Sequence, residues 1–62
     1  MPPSSDEMIK RITDDGWYLV KQKGSHKHFK HPTKDGKVTI PNGRESLPIG
    51  TLKSIIKQAG LE

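Results

Sequence analysis

The chain has no cysteine. Disulfides and thiolate-held metal sites are therefore excluded, which suits a cytosolic protein. It has no apolar run near the ~20 residues of a membrane span. Its first residues, Met1-Pro2-Pro3-Ser4-Ser5-Asp6-Glu7, show no basic region followed by an apolar stretch, so no export signal is expected. There is no internal repeat and no low-complexity tract. Acids are sparse where metal ligands would be wanted: Asp35 is the only one between Asp15 and Glu45. Apolar residues are few as well. With 62 residues, one domain spanning 1–62 is expected, and a chain of this size buries only ~60% of its unfolded surface, so the core is thin.

What is present is basic. Eleven Lys and Arg stand against seven Asp and Glu, for a net charge of +4. Such an excess favours an anionic partner, nucleic acid or an acidic protein surface.

Residues 1–4 read as a frayed lead-in. Ser4-x-x-Glu7 has the spacing of a capping box, and Met8, Ile9 and Ile12 recur at helical spacing. A helix from about Ser5 to Asp15 follows, stopped by Gly16. Trp17 to Gln22 is rich in aromatic and β-branched residues and reads as a strand. Lys23-Gly24-Ser25 forms a turn, and His26 to His31 a second strand. Thr33-Lys34-Asp35-Gly36 carries a hairpin signal, and Lys37 to Pro41 is a third strand with Val38 and Ile40 inward. After a loop over 42–46, Pro48 suits a first helical turn. Ile49, Leu52, Ile55, Ile56 and Ala59 make one apolar stripe, closed by Gly60 with Leu61 folding back. The expected class is α+β, in the order α-β-β-β-α. A three-stranded antiparallel sheet with both helices on one face is the economical packing.

All three histidines fall in Gly24-Ser25-His26-Lys27-His28-Phe29-Lys30-His31-Pro32. Side chains alternate along a strand. His26, His28 and Lys30 therefore share a face, and Phe29 takes the other. Phe29 belongs in the core, so His26 and His28 look outward. His31 points away from His26 and reads as structural. A zinc site on His26 and His28 would lack a third ligand nearby. Trp17 seals the core edge, and Lys53 and Lys57 form a solvated helix face.

Five stretches occur in one order: Asp15-Gly16-Trp17, Lys23-Gly24-Ser25-His26, Phe29-Lys30-His31-Pro32, Leu47-Pro48-Ile49-Gly50-Thr51-Leu52, and Lys57-Gln58-Ala59-Gly60-Leu61. Together they resemble the HicA family of toxins, over almost the whole chain. The resemblance implies a double-stranded-RNA-binding-domain-like fold. It implies a small cytoplasmic ribonuclease that cuts messenger RNA and arrests translation, neutralised by a cognate HicB antitoxin. It also implies that His26, which follows the Gly-Ser pair, is catalytic.

Histidine as a residue type, with an unperturbed pKa of ~6.5, suits proton transfer near neutral pH. RNA carries its own nucleophile in the 2′-OH, so such a nuclease needs no metal or other cofactor. Gly24 lets backbone N–H groups approach a phosphate, and Ser25 can donate to it. Lys23, Lys27 and Lys30 can bind phosphates as point charges, and His28 stands beside them as an RNA contact. The expected partners are messenger RNA and an antitoxin covering the histidine face, with no membrane and no direct DNA contact. Two other readings compete: a non-catalytic double-stranded-RNA-binding module and a protein-interaction module. The first is weakened by the uncharged stretch Leu47-Pro48-Ile49-Gly50-Thr51, and the second leaves the clustered histidines and lysines without a use.

Overall fold

A computed structural model describes residues 3–61. The elements run α1 (Ser5–Asp14), β1 (Tyr18–Lys23), β2 (His26–Lys30), β3 (Val38–Pro41) and α2 (Ile49–Ala59). The sheet is antiparallel, in the order β1-β2-β3. The expected class and order are therefore found. No helix among the described residues is long and apolar enough to cross a membrane.

Ser4 caps α1 as its spacing predicts. Its hydroxyl accepts the Glu7 N–H at 3.2 Å, and the Glu7 carboxylate accepts the Ser4 N–H in return. Pro3 is also held, because the Leu47 N–H donates to its carbonyl at 3.0 Å. Fraying expected over 1–4 thus does not extend to Pro3 and Ser4, while residues 1 and 2 lie outside the described residues.

Both helices lie on one face of the sheet. Met8 and Ile12 of α1, Ile55 and Ala59 of α2, and Phe29, Val38 and Ile40 of the sheet form one buried cluster with Trp17 and Leu47. Each large apolar side chain buried there is worth roughly 1.5–3 kcal/mol. The helices pack chiefly on β3, so β1 overhangs them and all six of its residues are exposed.

Two details depart from expectation. Residues 31–37 make a longer connection in place of a tight Asp35-Gly36 hairpin, because Phe29 pairs with Val38. Ile49 falls outside the buried stripe and is 70% exposed. It sits in the first turn of α2, beyond the packed core, and Pro48 precedes the helix as its cap residue. At the other end Gly60 is left-handed, with φ 67°, and Leu61 folds back to donate to the Ile56 carbonyl at 3.1 Å, partly buried on the core.

Candidate functional site

The site is built on the turn between β1 and β2. Gly24 and Ser25 are its two central residues. Gly24 has φ 58° and Ser25 a negative φ, the pattern of a type II′ turn, whose twist matches that of the flanking strands. A Cβ on Gly24 would meet nothing within 4 Å. Glycine is therefore required here by backbone conformation, and the space above it is open to a ligand.

A two-residue turn fixes the register. Lys23 stands opposite His26, Gln22 opposite Lys27, and Lys21 opposite His28. Residues directly opposite on antiparallel strands project to the same face, with Cβ atoms about 4.5–5.5 Å apart. Across the next pair of strands His28 faces Thr39, and His26 faces Pro41. Two rows result: Lys23–His26–Pro41 and Lys21–His28–Thr39. A bulge between Leu19 and Lys21 then restores the parity of Tyr18, which pairs with Lys30 on the same open face. Three positions apart on a regular strand, Tyr18 and Lys21 would point to opposite sides, and the bulge brings them to one.

Tyr18, Lys21, Lys23, His26, His28 and Lys30 thus share one surface, on which no paired position carries an acid. An open depression at its turn end is lined by Lys23, Gly24, Ser25, His26 and His28. The His26 ring is exposed and makes no hydrogen bond among the described residues. His28 is half-buried, with Nδ1 3.0 Å from Thr39 Oγ1, which orients its ring and leaves Nε2 with no hydrogen bond among the described residues. Such a surface can hold a phosphodiester by cations while imidazoles exchange protons with it. No three potential metal ligands converge among the described residues.

Of the expected site residues, Lys23, Gly24, Ser25, His26, His28 and Lys30 are brought together. Lys27 is not. It pairs with Gln22 and with the buried Ile40, so it lies half-buried on the helix side of the sheet. Lys21 joins the face without having been singled out from the sequence. The signal was there: counting back equally from a two-residue Gly-Ser turn pairs it with His28.

His31 plays a different part. Its Nδ1 accepts the backbone N–H groups of Thr33 and Lys34, each at 3.1 Å, so its Nε2 carries the proton and donates to the Asp15 carbonyl at 2.7 Å. The ring meets Trp17 edge-on, with centroids 5.2 Å apart. Both ring nitrogens are engaged, and together they hold the C-cap of α1 to the loop after β2. Beside it, Lys34 Nζ lies 2.6 Å from the Asp15 carboxylate and also donates to the Ala59 carbonyl at the end of α2. The hydrogen bond from Lys34 holds the Asp15 carboxyl below the usual carboxylate range, against a smaller opposing effect of desolvation. The buried Trp17 indole N–H reaches no acceptor at hydrogen-bond distance. It is near enough to Asp15 to favour the ionised carboxylate.

No curated protein matches the chain. A chain of the toxin–antitoxin complex from Streptococcus pneumoniae is similar at 35% identity and a TM-score of 0.78, covering 95% of this chain and 98% of that one. The profile of the HicA toxins of bacterial toxin–antitoxin systems matches residues 5–61, from the first residue of α1 to the one that folds back after α2. A glycine-turned hairpin that presents histidines on a bare, cationic sheet is thus part of a chain that belongs to the HicA toxin family.

Proposed function

We propose that this toxin is a metal-independent endoribonuclease of messenger RNA, acting in the cytoplasm, with His26 as a catalytic residue. One observation carries the reading. An exposed imidazole with no protein partner stands across from Lys23, on a face that holds Lys21, His28 and Lys30 and no paired acid.

The chemistry follows from RNA itself. The 2′-oxygen attacks the adjacent phosphorus, the bond from phosphorus to the 5′-oxygen breaks, and a 2′,3′-cyclic phosphate and a 5′-hydroxyl remain. One group takes the proton of the 2′-OH and another gives a proton to the departing 5′-oxygen. Each transfer is typically worth ~10²–10⁴-fold. His26 performs one of them; the other falls to a neighbour on the same face, His28, Lys21 or Lys23. The charge that develops on the phosphoryl oxygens is met by the lysines and by the turn at Gly24 and Ser25. With Asp35 alone between Asp15 and Glu45, the segment has no carboxylate set to hold a divalent ion.

The rival reading as a double-stranded-RNA-binding module draws on the fold alone. It needs cations at the start of α2, where this chain exposes Ile49.

His26→Ala should keep the circular dichroism spectrum of the parent, because the side chain is exposed. It should lose RNA cleavage and growth arrest. Cleavage should persist in EDTA and leave cyclic or 3′-phosphate ends. A folded His26→Ala protein that cleaves at the parental rate would remove His26 from the mechanism.

The neighbouring structure is a toxin–antitoxin complex, and we propose a HicB-type antitoxin as the partner here, seated on the histidine face. A cationic surface without acids suits an acidic protein. Diethyl pyrocarbonate should modify His26 in the free chain and spare it in the complex. Equal modification of both would rule out direct occlusion.

A further inference from the structure

We infer that the outer edge of β1 is a strand-addition site, filled by an extended acidic segment of the antitoxin. This goes beyond occlusion of the histidine face and rests on the antitoxin partnership proposed above.

A three-stranded sheet has two free edges, and this protein treats them differently. Two outward groups of β3 are occupied by side chains of the helices. Thr39 donates its N–H to the Gln58 side chain at 3.2 Å. Pro41 has no N–H, and its carbonyl accepts the Ser5 hydroxyl. Because the Thr39 N–H points outward, His28 directs its backbone groups to β1, and the alternation of an antiparallel ladder follows. Leu19 and Gln22 then turn their N–H and C=O groups away from the sheet, and no hydrogen bond among the described residues reaches those N–H groups.

The first half of this edge also exposes large apolar side chains. Tyr18, Leu19 and Val20 are 50%, 50% and 47% exposed. Leu19 pairs with Phe29 and so lies on the helix side of the sheet, past the reach of the helices. A core-type residue on an unpaired edge is what an added strand would cover.

The occupant is chosen by charge. Lys21 and Lys23 flank the edge, and the chain carries a net +4. Antiparallel pairing of β1 with a second copy centred on Lys21 or Lys23 sets lysine against lysine, and the bulge after Leu19 disturbs the register for an identical strand. The same features welcome a strand with alternating acidic and apolar residues, whose acids meet the lysines while its apolar side covers Leu19.

The test uses the full chain and a cognate HicB-type antitoxin co-expressed with it. Amide hydrogen exchange is followed at Leu19 and Gln22, free and in the complex. Strong protection of both on binding is expected, together with unchanged protection at Thr39. Leu19→Asp and Gln22→Pro should each weaken the complex by at least about tenfold, and Leu19→Asp should leave RNA cleavage by the free variant unaltered. Gln22→Pro removes the outward N–H together with the side-chain bond to the Gly24 carbonyl at 3.2 Å, and Leu19→Asp keeps both the backbone and that bond, so one variant stands if the other fails to fold. Unchanged exchange in a complex that nevertheless shields His26 overturns the inference and leaves the partnership intact. Absence of any complex with the parental chain overturns the partnership itself. Protection that rises with concentration of the free chain assigns the edge to a second copy and likewise overturns it.

Discussion

The two outer strands of the sheet are equals in topology and opposites in use. In β3, Val38 and Ile40 are fully buried, and Ser5 and Gln58 cap its outer edge from the two helices. In β1 every residue is exposed, and nothing among the described residues caps Leu19 or Gln22. The difference comes from where the helices sit. Both pack over β3, so that side holds the fold together, while the overhanging β1 contributes lysines to the histidine face and a bare edge to the surroundings. In a domain this small, stability and recognition are divided between the two strands.

The largest effect should come from breaking the covered side. Ile40→Ala should cost about 2–5 kcal/mol. A chain this short has only ~3–5 kcal/mol in hand, so the variant should be largely unfolded by urea titration, whereas Leu19→Ala should stay close to the parent. Comparable losses at both positions would abolish the contrast.

Next comes the corner where β1 enters the sheet. Gly16 has φ 107°, and a Cβ there would lie 2.7 Å from the His31 Nε2. Gly16→Ala should cost about 1–3 kcal/mol, and hydrogen exchange should quicken in β1 more than in β3. Ser5→Ala opens one cap of β3, removing the bond to the Pro41 carbonyl and the one accepted from the Arg44 N–H at 3.0 Å. About 0.5–1.5 kcal/mol per bond is expected, read from thermal unfolding.

The open face sharpens the comparison through salt. Lys21→Ala with Lys23→Ala should weaken RNA binding and lower the salt slope by about 0.7 per lost phosphate contact. Lys27→Ala, on the other side of the sheet, should leave the slope nearly unchanged. Equal slopes for the two variants would move the RNA path off this face.

The smallest effect is a pH dependence at the Asp15–Lys34 pair, which is partly exposed. The Asp15 carboxyl lies lower in the folded chain than in the unfolded one. Its contribution is therefore present above the unfolded value of ~3.9 and fades as pH falls through the folded value. Asp15→Asn should be slightly less stable than the parent at neutral pH, and the two should converge below about pH 4. A gap that persists once pH has fallen well below that value would mean the pair contributes through packing instead of charge.

Much of this was legible beforehand, and particular residues show why. The Ser4 to Glu7 spacing, the left-handed Gly60 and the inward Val38 and Ile40 are local matters of capping and alternation. Phe29 could only be buried, so His26 had to face out. Ile49 was misleading because helical periodicity counts a residue into a stripe without saying where the packed core ends. The face of Lys21 follows from the hairpin register set by the two-residue turn, which is not a property of one strand, and the bulge beyond it decides the face of Tyr18.

By itself, then, the sequence determined the order of elements, the buried side of each and the grouping of His26, His28 and Lys30. Those follow from hydrogen bonding and hydrophobic periodicity within a few residues. Tertiary structure alone decided that the bulge after Leu19 returns Tyr18 to the histidine face, that Ile49 lies beyond the packed core, and that His31 pins Asp15 to the loop after β2. It alone left the edge of β1 open while closing that of β3. These depend on how strands are paired and where helices land, and pairing joins residues that no local pattern connects.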